Sequence, residues 1–319
     1  MTDEPITSTL NIQIRRDLEG GAFYLKQPNV IASLLEATNM TDCIPASTPA
    51  EVVTISSADC PVVGSEEWSH MQTVPYRETL GSLIQLMRMC RPEIAFPLSV
   101  ACRYLHNPGQ AHWNFVKRIL RYLKGTIDHE FCLKPTNFNF TASNLQSHFD
   151  VQGHVKLTAN CDADWGGDRD SAKSTSGYAC FFGGALISWA AKVQSVTATS
   201  STYAEYISAY HTLAEILWTR SFLSDLNLLD LSEPTNLFTD NEPAINIAKF
   251  DMVSNRSKHF DTKYHFYRDN VTDKVITPHH VPGKDNCADI FTKALLKGRF
   301  TLFKLQLGVL PPPVHNVST

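Results

Sequence analysis

The second half of the chain alternates strand-like and helix-like segments, and this order constrains the fold more than any other feature. Strands are predicted first in "VKLTANCDADW" and then on both sides of Gly183-Gly184, a hairpin turn in "GYACFFGGALISWAAK". A helix follows with Ser200 or Ser201 as N-cap. Next come the strand "TNLFTDN", the helices "EPAINIAKF" and "KHFDTKYHFYRDNVTDK", the strand "VITPHHVPG", and helices at Asn286–Lys293 and Arg299–Leu307. This order predicts an α/β fold with one mixed five-stranded sheet flanked by helices.

The first half of the chain is predicted to be mainly helical. After a hairpin that turns at Glu19-Gly20-Gly21, helical periodicity begins at Pro28 and returns at Tyr76–Met89 and Trp113–Leu123. The Pro-, Ser- and Thr-rich stretch between the first two helices indicates an exposed connector. A polar, Asn-rich stretch then suggests a linker. We therefore expect an N-terminal unit at 1–135, a linker at 136–154 and a second domain at 155–319.

The composition is that of an ordinary globular protein. With 319 residues and 43% hydrophobic content, the chain can form one large domain or two moderate ones. It has no apolar stretch of the length that a membrane helix needs and begins without the pattern of a secretory signal, so we expect an intracellular protein. Its eight cysteines form no CxxC pair, which predicts reduced thiols and no zinc site.

Basic residues cluster in two places although the net charge is −4. One run carries Lys117, Arg118, Arg121 and Lys124, and the other carries Arg256, Lys258, His259, Lys263, His265 and Arg268. Each run could contact phosphate groups, or it could be an ordinary solvated helix face. Charge alone leaves both interpretations open.

Four acidic residues occupy comparable positions in the predicted fold. Asp162 ends the first strand, Asp240 ends the fourth, Glu205 lies in the first turns of a helix, and Asp289 starts a late helix. If they converged on one edge of the sheet, their mutual repulsion would require cations, and an all-oxygen set suits Mg²⁺ or Mn²⁺. Two such ions can activate water against a phosphodiester. Each acid alone could equally cap a turn or a helix.

Several longer motifs carry a family resemblance. The segments "DADWGGDRDSAKSTSGYACFFGGALISW", "SVTATSSTYAEYISA", "FTDNEPAINIA", "SKHFDTKYHF" and "HHVPGKDNCADIFTK" occur in this order. Together they resemble the ribonuclease H domain of Ty1/copia-type retrotransposon polyproteins, over about Leu157 to Lys293. Upstream, "YRETLGSLIQLMRMCRPEIAFPLSV" and "HWNFVKRILRYLKGT" resemble the segment between polymerase palm and ribonuclease H domain, and "FYLKQPNVIASLLEATNM" resembles the reverse transcriptase tail. The first unit is thus similar to a thumb or connection remnant.

The resemblance implies a ribonuclease H-like fold and an endonuclease that hydrolyses the RNA strand of RNA–DNA hybrids with two Mg²⁺ or Mn²⁺ ions. Motif by motif, it implies that the catalytic and metal-binding residues are Asp162, Glu205, Asp240 and Asp289. Asp162 is preferred to Asp164, which lies further into the turn. Contacts to the nucleic-acid backbone are expected from Lys258, His259, Lys263 and His265.

Other residues near these motifs receive different expectations. Asp168 and Asp170 are interpreted as solvated turn residues. His279 and His280 are expected within the last strand, so neither is assigned the proton-shuttle role that a mobile His before the final Asp has in related nucleases.

The resemblance also limits the expected activity. A reverse transcriptase palm needs a paired-aspartate turn, and the sequence contains no Asp-Asp, so we expect no polymerase activity from this chain alone. Reverse transcriptase palm and fingers or integrase portions of a polyprotein are expected partners, with a cytoplasmic particle or the nucleus as location. Two alternatives remain: a catalytically silent nucleic-acid-binding or scaffolding remnant, and a related nuclease that cuts DNA.

Overall fold

The computed structural model describes residues 8–53, 55–134, 155–249 and 261–312, without the side chains of 261–264. The strands are β1 (Ser8–Thr9), β2 (Ile12–Asp17), β3 (Ala22–Lys26), β4 (Glu130–Leu133), β5 (Leu157–Asp164), β6 (Thr175–Phe182), β7 (Ala185–Val193), β8 (Thr235–Thr239), β9 (Ile276–His280) and β10 (Val309–Leu310). The α-helices are α1 (Pro28–Ala37), α2 (Glu66–Met71), α3 (Tyr76–Met89), α4 (Ala95–Cys102), α5 (Gln110–Gly125), α6 (Ser201–Asp225), α7 (Glu242–Lys249), α8 (Asp261–Thr272) and α9 (Lys297–Gln306).

The chain divides into two compact units. The first comprises Met1–Lys134 together with Ala294–Thr319, and the second comprises Pro135–Lys293. The predicted second domain at 155–319 therefore needs a correction at its end, because β10 pairs with β4 and joins the first unit. The predicted linker at 136–154 lies outside the described residues.

The first unit contains a sheet as well as helices. Its strands follow the order β1-β2-β3-β4-β10 with antiparallel pairing throughout, and the predicted N-terminal hairpin is β2 and β3. Prediction missed β4 and β10, since segments of four and two residues carry almost no periodicity of their own. Pairing with distant strands, rather than local sequence, makes them strands.

The basic run on α5 binds the unit's own connector. Arg121 Nε donates to the carbonyl oxygen of Ile44 at 2.6 Å, and Lys124 Nζ donates to that of Cys43 at 2.8 Å. Arg118 forms an ion pair with Glu51 at 2.8 Å. These three basic side chains therefore hold the connector against α5, which accounts for them without a nucleic-acid partner.

The second unit has the predicted α/β architecture, with one mixed five-stranded sheet flanked by helices. Its strand order is β7-β6-β5-β8-β9; β5, β6 and β7 pair antiparallel, whereas β8 runs parallel to both β5 and β9. The hairpin turns at Gly183 and Gly184, both with positive φ, and Ser200 caps α6 by accepting a hydrogen bond from Tyr203 N. A core packs between the sheet and the helices, and it includes Leu157, Ala159, Cys161, Tyr206, Leu213, Ile216, Leu237, Tyr267 and Ile276.

The helix predicted at Asn286–Lys293 is wrong in type. The structure has a short 3₁₀ helix at Cys287–Phe291, capped by the side chain of Asn286, which accepts from Ala288 N. Asn286 also donates to the carbonyl oxygen of Cys161 on β5 at 2.8 Å. Because the hydrogen bond to Cys161 ties the segment to the sheet, the helix ends after five residues instead of continuing as an α-helix.

None of the described helices combines the length and apolar character needed to cross a bilayer. All eight cysteines lie in described residues and are free thiols in the structure.

Candidate active site

Asp162 lies near the end of β5, where three elements fix it. The residue is almost fully buried, with 1% of its surface exposed. In the sheet it is paired with Gly177 on β6, and Ser208 on α6 donates a hydrogen bond to its carbonyl oxygen at 2.7 Å. The hydroxyl of Thr292 donates to its carboxylate. The sheet and α6 therefore fix the backbone of Asp162, and Thr292 orients its carboxylate.

Asp240 and Asp289 meet Asp162 at the same edge of the sheet. Because β8 runs parallel to β5, the carboxyl ends of the two strands lie side by side, and Asp240 directly follows β8. Asp289 reaches this edge from the short 3₁₀ helix tied to β5. One carboxylate oxygen from each of the three residues lies within 4.8 Å of the others. This group of three is called the carboxylate cluster below.

Glu205 lies beside the carboxylate cluster, on the first turns of α6. Its Oε1 accepts a hydrogen bond from Ala163 N at 3.2 Å. Its Oε2 is buried and has no hydrogen-bond partner among the described residues. Burial raises the pKa of Glu205 well above its ordinary value, and the charges of Asp162 and Asp240 raise it further. A buried acceptor without a donor, facing other carboxylates, is the environment that a bound cation would satisfy.

The pKa values of Asp240 and Asp289 are raised as well. Burial, followed by the charge of Asp162, raises the pKa of Asp240 and raises that of Asp289 to about 7. Four carboxylates are thus crowded where water cannot fully solvate them. Oxygen-only ligands of this kind suit Mg²⁺ or Mn²⁺ better than zinc, which prefers His and Cys. The donor set therefore fits the ions that the sequence predicts.

Sequence reasoning missed two residues that contact the cluster, Thr292 and Lys293. The Lys293 ammonium lies 3.0 Å from Asp289 Oδ1 and 3.5 Å from Asp162 Oδ2. Burial alone would lower the pKa of Lys293, but Asp162 and Asp289 raise it above the ordinary value. The i,i+4 spacing of Asp289 and Lys293 was the available signal, although it predicts only a pair on one helix face.

Replacing Thr292 by Val should reduce any activity that depends on Asp162 by about 10- to 100-fold, the usual cost of losing a hydrogen bond that orients a ligand. Val has nearly the same shape and cannot donate to the carboxylate, whereas Thr292→Ser keeps the donor and should retain most of the activity. Divalent-ion affinity, measured by calorimetry, should fall in the same order. Equal affinities for the Val and Ser variants would contradict this role.

Comparison with known proteins decides the family. The search with family models finds no match. The Pol polyprotein of transposon TNT 1-94 from Nicotiana tabacum is 36% identical over 306 residues, which are 96% of this chain and 22% of the relative. That of transposon RE2 from Arabidopsis thaliana is 33% identical over 305 residues, 95% of this chain and 19% of the relative. The chain belongs to the retrovirus-related Pol polyproteins of transposons.

This Pol-family chain spans about a fifth of the length of the curated relatives it matches. Among solved structures, LC11-RNase H1 in complex with an RNA/DNA hybrid is similar over 43% of this chain and 94% of its own, with 14% identity and a TM-score of 0.33.

The expected backbone-binding residues are only partly described in this Pol-family chain. Lys258 and His259 lie outside the described residues, and Lys263 is described only as part of the α8 backbone. His265 is an exposed residue of α8, and Arg268 lies 3.0 Å from its Nδ1. The structure does not bring His265 together with the carboxylate cluster.

The acids at the end of β5 and in the turn that follows are not alike. Asp162 belongs to the cluster and Asp164 does not. Asp170 is exposed, as predicted, but the prediction for Asp168 is wrong, because Asp168 is buried. Its backbone pairs with that of Lys173 and Ala172, and the hydroxyl of Ser171 donates to its carboxylate. The buried Asp168 therefore stabilises the turn through its hydrogen bonds to residues 171–173.

His279 and His280 both lie in a strand, as predicted, and that strand is β9. His279 is half-buried, with its Nε2 3.0 Å from Asn236 Oδ1. His280 is exposed at the end of β9, opposite Thr239, the residue before Asp240.

Proposed function

We propose that the second unit is a metal-dependent ribonuclease H-type endonuclease that hydrolyses the RNA strand of RNA–DNA hybrids. The observation that carries the proposal is the convergence of Asp162, Asp240 and Asp289 within 4.8 Å at one sheet edge, in a chain of the Pol family. Elements far apart in sequence supply these acids, so local capping does not explain their meeting. The resemblance of the motifs in this unit to a ribonuclease H domain makes an RNA–DNA hybrid the proposed substrate.

In this proposal the residues that would hold two Mg²⁺ or Mn²⁺ ions are Asp162, Glu205, Asp240 and Asp289. When bound, such ions activate water and stabilise negative charge on the oxygens of a phosphodiester. The chain's own part is to hold the ligands. Thr292 orients the Asp162 carboxylate, and Asn286 fixes the segment that carries Asp289. Glu205 Oε2 has no hydrogen-bond partner among the described residues, so it is the proposed ligand oxygen that a bound cation would satisfy most directly.

Substrate binding in this proposal uses the backbone and sugars rather than base identity. Trp165 lies two residues beyond Ala163 with 55% of its surface exposed, and its indole nitrogen donates to Ala198 O at 3.0 Å. Because that bond fixes the ring, its exposed face can pack on a sugar. Lys258, His259, Lys263 and His265 are the proposed phosphate contacts.

Reverse transcriptase and integrase portions are the proposed partners, in a cytoplasmic particle or the nucleus.

A cleavage assay tests the proposal. Purified protein should cut a labelled RNA strand in an RNA–DNA hybrid with Mg²⁺ or Mn²⁺ and stop when EDTA is added. Asp162→Asn and Asp240→Asn should each lower the rate by about 10³-fold or more, because a lost metal ligand removes several kcal/mol of stabilisation. Asp170→Asn, an exposed acid of the neighbouring turn, is the matched control and should cut normally.

Other outcomes of the assay would overturn the proposal. Hybrid binding without cleavage, from a folded protein with saturating metal, would favour a silent nucleic-acid-binding or scaffolding remnant. Cleavage of duplex DNA as readily as hybrid would favour a DNA nuclease of the same architecture. Circular dichroism of each variant separates lost chemistry from lost folding.

A further inference from the structure

Lys293 places a positive charge against the carboxylate cluster. Its ammonium contacts Asp289 at 3.0 Å and Asp162 at 3.5 Å, and both carboxylates belong to residues that are 1% exposed. The lysine side chain itself is 37% exposed. One end of the contact is therefore buried and fixed, whereas the other can reach water.

We propose that Lys293 is the built-in counter-ion of the carboxylate cluster: it stabilises the metal-free site and competes with divalent ions for the same oxygens. This inference rests on the proposed metal site and adds a residue that opposes ion binding. It concerns Asp162 and Asp289, the two acids that Lys293 contacts.

The charge balance supports a counter-ion rather than a complete replacement for metal. The cluster and Glu205 carry up to four negative charges, and Lys293 supplies one positive charge. One ammonium lowers the repulsion between the carboxylates, but the remaining negative charge still attracts divalent ions. Within the described residues no group donates to Glu205 Oε2, so Lys293 leaves part of the site unsatisfied.

The covalent attachment of Lys293 explains why it can compete. It follows Thr292 directly, and these consecutive residues contact the same Asp162 carboxylate oxygen, one with a hydroxyl and one with an ammonium. Thr292 and Lys293 directly follow the short helix that bears Asp289, so the hydroxyl and the ammonium lie on the same segment as that proposed ligand. A tethered cation loses no translational freedom on binding, whereas a free ion must displace it or tolerate its repulsion. Partial exposure gives the ammonium a route into water when an ion enters.

The test uses the full chain with Lys293→Met, which keeps much of the aliphatic stem, and Lys293→Arg, which keeps the charge. In EDTA the Met variant should unfold at lower urea than wild type. By calorimetry with Mg²⁺ and with Mn²⁺, it should bind at least about tenfold more tightly, since a nearby positive charge has been removed. The Arg variant should resemble wild type in both measurements. A merely structural role predicts weaker ion binding for Met, which would overturn the inference.

Two further measurements separate the possible failures. In an Asp289→Asn background, Lys293→Met should lose less stability than in wild type, since one of the two carboxylates that Lys293 contacts is then neutral; an unchanged loss contradicts the inference. If Lys293→Met does not fold in EDTA, Lys293→Gln is titrated instead, with tighter ion binding expected. If wild type binds ions and neither Lys293→Met nor Lys293→Gln binds them more tightly, this inference alone is overturned. Absence of ion binding in wild type and variants overturns the proposed metal site itself.

Discussion

Replacing Asp289 by Asn should stabilise the metal-free protein at pH 8 by about 1–3 kcal/mol while abolishing hybrid cleavage. Burial and the charge of Asp162 raise the pKa of Asp289 from 3.8 to about 7. At pH 8 its ionised form is therefore held in the folded protein at a cost. Asn removes the charge with little change in volume, and it also removes a proposed metal ligand.

The direction with pH follows from proton binding. Between about pH 3.8 and about pH 7, folded Asp289 keeps its proton more than unfolded Asp289 does. Stability of the metal-free protein should therefore fall as pH rises through this window, and the favourable contribution is fully present only below it. In Asp289→Asn this group no longer titrates, so the variant's advantage over wild type should appear at pH 8 and shrink towards pH 4.

Urea denaturation in EDTA at pH 5 and pH 8 measures this difference. Asp170→Asn is the control, because that acid is exposed on the neighbouring turn and should change stability little at either pH. Millimolar Mg²⁺ should reverse the order at pH 8, since wild type gains from ion binding and the variant gains less. A variant that is less stable than wild type in EDTA at pH 8 would contradict the raised pKa of Asp289.

Sequence patterns predicted the second unit well where the signal was local. The hairpin of β6 and β7 needed only Gly183-Gly184 between two apolar runs, and the start of α6 needed only a serine before a helical stripe. The sequence left open whether Asp162 and Asp240 meet; the structure brings them to one edge because their strands are parallel neighbours. Elements with their own periodicity and caps could be predicted one at a time.

The parts that were missed depend on contacts between distant segments. Thr292 and Asn286 read as ordinary polar residues until their hydrogen bonds to Asp162 and to the Cys161 carbonyl are known. Those bonds convert a predicted helix into a short 3₁₀ turn. Asp168 looked solvated because it lies among Gly and charged residues, yet the turn folds around it. Local composition carries no record of such pairings, so the sequence indicated the acids as candidates and gave no sign of the groups that contact them.

Replacing Gly177 by Ala should destabilise the second unit by about 1–3 kcal/mol or more and should strongly reduce cleavage. Gly177 pairs with Asp162 across the sheet, and the short helix of Asp289 packs directly on it. A Cβ at this position would lie 2.7 Å from both Phe291 Cβ and Thr292 Cγ2, and 3.1 Å from the carbonyl oxygen of Ala288. The segment would have to move away, and it carries Asp289.

The two effects of Gly177→Ala should be separable. A shift of about 1 Å in a catalytic group can cost about 100-fold in rate, so cleavage should remain low even at temperatures where the variant is folded. Gly81→Ala is the control: its Cβ would meet nothing within 4 Å, and in the middle of α3 it should raise stability by about 0.5–1 kcal/mol. Thermal unfolding and the hybrid assay measure the two quantities. Normal cleavage by Gly177→Ala would mean that the 3₁₀ segment need not press against β6, and the ligand position assigned to Asp289 would then lose its structural basis.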